Sequence, residues 1–272
     1  MLKCRPLGQT DVQISPLGLG TVKFGRNRGV KYPRAFELPS DGQIRDLLAL
    51  ARELGINLLD TAPAYGHSEA RLGQLLPGPR TDWVLSTKVG ERFDGERSHF
   101  DFAPEAIRAS VRQSLRRLGS DYLDLVLVHS DGNDREIIEH WGALDTLSEL
   151  KRAGWIRAFG MSTKTLDGGW QVAQTADAVM VTCNLRERDQ QPVLDRCGQL
   201  NKGVLIKKPL ASGHLDTDMA DPVQASLDFV LGQPAVTSAV IGTLDPEHLR
   251  ANAARAERAL AQAAQRATRP TP

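Results

Sequence analysis

The sequence predicts an α/β fold in which eight strand–helix pairs close into one parallel (β/α)8 barrel. Three observations predict it. Short apolar runs alternate with amphipathic stretches from residue 15 to the C-terminal helix, the grammar of parallel strands joined by crossover helices. The length, 272 residues, suits one barrel of roughly 250 residues. Several apolar runs also end in an ionisable side chain that a buried strand does not need, notably Asp60, Lys88 and His129. No internal linker is long or biased enough to mark a second unit, so residues 1–272 are expected to form a single domain.

The elements follow in order. Residues 4–14 alternate loosely around Gly8-Gln9-Thr10-Asp11, a hairpin signature. Residues 15–21 read as the first barrel strand. Gly18, Gly20 and Gly25 superficially suggest a dinucleotide loop, but no helical stripe follows and Pro33 interrupts the region, so that match is rejected. Residues 22–38 form a long polar loop whose Lys23, Arg26, Arg28, Lys31 and Arg34 make a basic rim. Ser40 and Gln43 form a capping box, Ile44, Leu47, Leu48, Ala51 and Leu54 follow at helical spacing, and Gly55 ends the helix. The strand 57–60 leads into Thr61-Ala62-Pro63-Ala64-Tyr65-Gly66, turn residues around a phenol. A short helix runs through 70–75, a strand through 83–88, and residues 89–102 form a second long loop. Pro104 opens a helix carrying Ile107, Val111, Leu115 and Leu118, with Gly119 after it. Strand 123–129 then closes on His129.

The second half repeats the pattern. Residues 137–150 read as one amphipathic helix with Trp141 and Leu144 on its apolar side, followed by strand 156–160 and the strand-end residues Met161-Ser162-Thr163. Helices are expected near 170–176, 192–200 and 223–231, and strands at 178–182, 204–208 and 236–241. Residues 210–221 form a glycine-containing loop, and Pro246 begins a long alanine-rich helix with Leu249, Ala253, Ala256 and Leu260 inward.

Composition narrows the function classes. Hydrophobic residues make up 41% and the formal net charge is +1, so no polyanion-binding tail is present and nucleic acid is not implied. Cys4, Cys183 and Cys197 form no C-x-x-C unit and read as reduced thiols. No apolar run reaches the roughly 20 residues of a membrane helix or the length of a signal segment. These features suggest a soluble cytoplasmic protein. His67, His99, His129 and His140 lack ligand-like spacing, so no metal is expected.

The strand-end residues carry a chemistry of their own. Addition of hydride to a carbonyl develops charge on oxygen, and Tyr65 is a suitable proton donor. Lys88 nearby would lower the phenol's pKa, and Asp60 would keep that ammonium charged and oriented. His129 would donate to the carbonyl oxygen and place it for attack. Taken singly, Asp60 would serve as a helix cap, Lys88 as a snorkelling strand end, His129 as a loop anchor and Tyr65 as packing. Together on one rim they favour catalysis.

These stretches resemble the aldo/keto reductase family. The likeness rests on D-T-A-x-x-Y-G at 60–66, S-T-K at 86–88, S-L-R-R-L-G-x-D-Y-L-D-L-x-x-x-H at 114–129 and I-G-T-x-x-x-E-H-L-x-x-N at 241–252. It runs over nearly the whole chain. The resemblance implies a (β/α)8 TIM barrel whose bottom is closed by the N-terminal β-hairpin, carbonyl reduction with a nicotinamide cofactor, and the same four roles for Asp60, Tyr65, Lys88 and His129. It further implies that Gly20 and Thr21 lie near the nicotinamide and that Ser162 reaches its carboxamide. Leu210, Ser212 and Gly213 would cover the pyrophosphate, and Gly242, Thr243, His248 and Asn252 would surround the adenosine, with the helix at Pro246 offering its positive end to phosphate. Three positions depart from the family pattern: Thr163 replaces a usual asparagine, Met180 a usual glutamine, and Lys207 a stacking aromatic. Lys207 would lay its stem under the ring and send its ammonium to phosphate. The expected cofactor is NADPH in preference to NADH, with His248 and Arg250 standing in for the cation that Gly242 lacks. The expected substrate is a small carbonyl compound and the expected state a monomer. A non-catalytic, nicotinamide-binding regulatory or redox-sensing subunit is the alternative.

Overall fold

The structure is a computed structural model that describes all of the chain except residues 31, 34, 217 and 268–272. Lys31 and Arg34 of the expected basic rim thus lie outside the described residues. Strands β1 (Arg5–Pro6) and β2 (Gln13–Ile14) pair as an antiparallel hairpin. The chain continues through β3 (Leu17–Gly20), β4 (Leu58–Asp60) and β5 (Val84–Val89). A second antiparallel hairpin, β6 (Glu91–Phe93) with β7 (Ser98–Phe100), comes next. It is followed by β8 (Leu123–His129), β9 (Ile156–Ser162), β10 (Ala178–Thr182), β11 (Gly203–Lys207) and β12 (Ser238–Ile241). The parallel strands β3, β4, β5, β8, β9, β10, β11 and β12 close into a barrel, β12 pairing back onto β3.

Two layers of apolar packing hold it. Inside the barrel Leu58, Val84, Leu125, Leu127, Ala158, Ala178, Met180 and Leu205 form one cluster, and Leu7, Val12 and Ile14 of the first hairpin join it. Leu58, Val84 and Ala178 stand at or next to the amino ends of their strands. The hairpin therefore closes the bottom, as expected. Alternate residues such as Leu59, Leu85, Val126 and Val179 face the helices instead. Each fully buried Leu of this kind contributes about 1.5–3 kcal/mol.

The helix Asp41–Glu53 shows how directly sequence sets an element. Gln43 N donates to Ser40 Oγ at 3.2 Å, and Ser40 N donates to Gln43 Oε1 at 2.8 Å. Ile44, Leu47, Leu48 and Ala51 are buried along one stripe. The reciprocal cap satisfies two backbone donors that the first turn would otherwise leave open.

Three expectations need correction. The segment 22–38 opens with a helical turn, Val22–Gly25, because Phe24 drops into the core. The loop expected at 89–102 holds the hairpin β6–β7, whose turn is fixed by Asp94 Oδ1 accepting from the Glu96 and Arg97 amides, both at 2.9 Å. The single helix expected at 137–150 is two, Asp134–Glu139 and Ala143–Arg152, broken where Gly142 takes φ +59°. The break turns Trp141 outward, leaving it 38% exposed, whereas Leu144 remains buried.

Candidate active site

The carboxyl ends of β4 and β5 bring Asp60 and Lys88 together. Lys88 Nζ donates to both Asp60 oxygens at 2.8 Å and to Thr61 O at 2.9 Å. Asp60 Oδ1 also accepts from Ser86 Oγ at 3.1 Å, across the β4–β5 register. Lys88 is only 2% exposed, so its charge depends on these partners. Burial works against the ammonium, but Asp60 and Tyr65 overcome it and raise the lysine's pKa.

Tyr65 is carried over Lys88 by the turn Pro63–Tyr65, with Nζ lying 4.8 Å from the ring centroid. The turn is placed by close backbone contact. A Cβ on Gly25 would stand 2.4 Å from Tyr65 O, and one on Gly66 would stand 2.2 Å from Gly25 O. Gly66 also has φ +61°, a region costly for other residues. Burial pushes the Tyr65 hydroxyl up to about 12, outweighing the pull of Lys88 in the other direction. The expected lowering by Lys88 is present, but desolvation is the larger effect.

His129, at the end of β8, sets its ring edge-on to Tyr65 with centroids 6.2 Å apart. All four residues of the expected group therefore meet. A fifth joins them that the sequence did not flag: Glu91 Oε2 of β6 lies 2.6 Å from His129 Nδ1, a close contact without aligned hydrogen-bond geometry. Burial raises the Glu91 carboxyl, yet His129, Ser98 and Arg26 bring it down to about 2. Burial lowers His129, against the opposing pull of Glu91.

The expected cofactor residues form three further groups along the same mouth. At the end of β9, Ser162 and Thr163 are both 2% exposed. Lys207 Nζ donates to Ser162 Oγ and Thr163 O, each at 2.8 Å. This corrects the expectation that Lys207 reaches phosphate, since its ammonium is turned onto the strand ends. Burial, with Lys208 and Lys164 adding to it, pushes Lys207 down to about 7. Thr163 Oγ1 is buried without a hydrogen-bond partner among the described residues. Met180 lies in the inner core beside Ser162 in the β9–β10 register. In the second group, Leu210 leads into Ala211, Ser212 and Gly213, all with φ between +46° and +93°. Gly242, Thr243, His248 and Asn252 form the third, where the site of a Cβ on Gly242 lies 3.7 Å from Gly20 O and 3.4 Å from the Tyr32 hydroxyl.

Two expected contacts are used elsewhere. Thr21 Oγ1 donates to Asp60 O at 3.0 Å and accepts from Ser68 Oγ at 2.8 Å, so its hydroxyl faces inward. The helix at Pro246 is capped by Asp245, whose Oδ1 accepts from Glu247 N at 2.8 Å and His248 N at 3.4 Å. A carboxylate already fills the position that the helix dipole was expected to offer to phosphate. Among the described residues no cluster of three or more His, Cys, Asp or Glu side chains is arranged to hold a metal, and no helix is long and apolar enough to cross a membrane.

Comparison with known proteins fits this geometry. A putative aldo-keto reductase from Pseudomonas aeruginosa, known from a crystal structure, is 50% identical, covers 94% of this chain and 95% of its own, and superposes with a TM-score of 0.86. An NADH-specific methylglyoxal reductase of Escherichia coli is 32% identical over 79% of this chain and 69% of its own length. An L-galactose dehydrogenase of Arabidopsis thaliana is 32% identical over 81% and 69%. The aldo/keto reductase family profile matches residues 16–226, and the chain belongs to that family.

Proposed function

We propose that the chain reduces an aldehyde or ketone to an alcohol with a nicotinamide dinucleotide, Tyr65 acting as general acid. The observation that carries the reading is the buried Lys88 ammonium held by both Asp60 oxygens beneath the Tyr65 ring. A phenol raised to about 12 is fully protonated at neutral pH and ready to donate. Once the proton has left, Lys88 faces the phenolate at close range and stabilises it, while Asp60 keeps Lys88 charged. His129 positions the carbonyl oxygen beside the phenol.

The residues fit a nicotinamide dinucleotide. The unpartnered Thr163 hydroxyl is a buried polar group waiting for a ligand, and with Ser162 it would take the carboxamide. The left-handed run Ala211, Ser212 and Gly213 would lie along the pyrophosphate, and Gly242, Thr243, His248 and Asn252 along the adenosine. When bound, the nicotinamide supplies the hydride. Asp245 weighs against an added phosphate near His248 and removes the physical ground for preferring NADPH to NADH. We read the chain as a single-domain cytoplasmic monomer acting on a small carbonyl compound.

Oxidation of NADPH and NADH by the purified protein with aliphatic and aromatic aldehydes tests this reading, alongside titration of both cofactors by fluorescence. Aldehyde-dependent cofactor oxidation is expected. Tight cofactor binding without turnover of any aldehyde would instead support the non-catalytic, nicotinamide-sensing alternative, which the altered surroundings of Lys207 would then explain.

A further inference from the structure

The least expected contact in the site is Glu91 against His129 Nδ1 at 2.6 Å. Its placement is built rather than incidental. Ser98 Oγ, from the paired strand β7, donates to Glu91 Oε1 at 2.5 Å. The hairpin is tied to the tyrosine turn by Arg26, whose guanidinium lies 3.6 Å from the Phe93 ring centroid and donates to Ala64 O at 3.0 Å. One carboxylate oxygen is thus engaged by the hairpin and the other faces the imidazole. His129 Nδ1, the ring nitrogen beside this carboxylate, is buried without an aligned hydrogen-bond partner among the described residues, which leaves Nε2 as the nitrogen to meet a ligand.

An acceptor beside Nδ1 has a definite consequence for Nε2. A neutral imidazole carries one proton, and a carboxylate next to Nδ1 draws it there. Nε2 then offers a lone pair. Only the imidazolium has a second N–H for a carbonyl oxygen. The groups facing His129 are Glu91 from the hairpin, Tyr65 from the turn after β4, Lys88 from β5 and Lys207 from β11. Glu91 favours the imidazolium, whereas both lysines oppose it.

We propose that Glu91 is a positioning residue that fixes the His129 proton on Nδ1, so that Nε2 receives an alcohol hydroxyl when the ring is neutral and donates to a carbonyl only when the ring is charged. The proposal rests on the reductase reading for its kinetic consequence. It extends that reading to direction, because rising pH then turns the ring from a carbonyl donor into a hydroxyl acceptor and shifts the site toward alcohol oxidation. The chemistry at Nε2 thus selects a carbonyl when the ring is charged and a hydroxyl at the reacting carbon when it is neutral.

The decisive measurement is the tautomer and pKa of His129 by nitrogen-15 NMR in the cofactor-free protein, with assignment by His129→Gln. Nδ1–H is expected for the neutral parent ring. In Glu91→Gln the amide can donate to Nδ1, so the Nε2–H form should appear and the His129 pKa should fall by about 1 unit. Glu91→Ala, which removes the carboxylate without supplying an amide donor, should also lower the His129 pKa and release the Nδ1–H preference, and serves if Glu91→Gln does not fold. A parent ring already in the Nε2–H form, or signals unmoved in both variants, overturns the proposal whether or not the protein is a reductase. The kinetic arm follows carbonyl reduction against pH. The parent rate should decline as His129 loses its proton, and Glu91→Gln should flatten that limb because its neutral ring can donate. An unchanged limb despite a changed tautomer would show that Nε2 does not meet substrate. Absence of turnover with the NMR result intact would count against the reductase reading alone.

Discussion

The two halves of the barrel mouth are built on opposite principles. On the β4–β5 side, the buried ammonium of Lys88 is closed by a carboxylate and a backbone carbonyl. On the β9–β11 side, among the described residues, Lys207 donates to a hydroxyl and a carbonyl but to no carboxylate, and Thr163 Oγ1 has no hydrogen-bond partner. The first arrangement is complete in the free protein and cannot lose a member without leaving a charge unpaired. The second is incomplete as it stands. This is what a ligand-completed surface looks like, and the contrast separates the proton-handling half from the cofactor-facing half.

The largest expected effect probes the complete half. Tyr65→Phe should lower the reduction rate by at least about 100-fold, the lower range for loss of a general acid, while cofactor affinity stays at the parental value. Near-parental turnover would remove Tyr65 as the donor and dissolve the division.

Next is Lys88→Met, which leaves the Asp60 carboxylate buried without its cation. Destabilisation of about 3–5 kcal/mol is expected, read by urea denaturation, together with a slower reaction. Lys88 holds the Tyr65 hydroxyl below where burial alone would put it. Its removal should therefore move any tyrosine-controlled limb of the rate profile to higher pH. A variant as stable as the parent would show that the pair does not carry the charge of this side.

Lys207→Met tests the incomplete half and should leave the chemical step in place. Cofactor Kd is expected to rise about tenfold, because Ser162 and Thr163 lose the charge-assisted hydrogen bonds that hold them in place for the carboxamide. Because burial pushes Lys207 down to about 7, its charge is present below that pH and lost above it. Parental affinity should weaken as pH rises through about 7, and the variant should show no such change. The stability sign is opposite: a lowered lysine pKa penalises the fold while the group is charged, and the penalty eases as pH rises from about 7 toward the ordinary lysine value. Equal affinities at every pH and salt concentration would make Lys207 idle toward the cofactor.

The smallest effect lies outside both halves. Gly142→Ala should cost about 1 kcal/mol through its positive φ, seen as a lower Tm with unchanged turnover and unchanged cofactor Kd. A kinetic effect there would mean that the helix break is coupled to the mouth.

What could be read from the sequence divides along a related line. The helix Asp41–Glu53 and the strand ending in His129 were legible because each is encoded within one short stretch, by a cap and a stripe or by an apolar run with a terminal charge. The four-residue group followed because parallel barrel strands deliver their last residues to one face. Glu91 was not legible. Its significance lies in a contact with a residue 38 positions later, and its own neighbourhood reads as loop. Asp245 stands beside Pro246 in the sequence, but only the folded chain turns its carboxylate onto the Glu247 and His248 amides and closes the helix end. The direction of the Tyr65 shift also escaped, since charge pairing can be guessed from residue types whereas depth of burial depends on the assembled turn.

Gly25 and Gly66 give the position of Tyr65 an unusual origin. The two backbones meet where neither residue has a Cβ, and a methyl group on either would press into the other strand of the contact. For variation among descendants of this chain, both positions are closed even though neither carries a functional group. Alanine at Gly25 would shove the tyrosine carbonyl, and alanine at Gly66 would shove the Gly25 carbonyl. A second substitution cannot relieve the first, because the atoms struck are backbone atoms: the Tyr65 carbonyl and the His67 and Ser68 amides for Gly25, and the Gly25 carbonyl for Gly66. The phenol is thus protected from drift by an empty space, and sequence change around it is channelled into residues that line the mouth without shaping this turn.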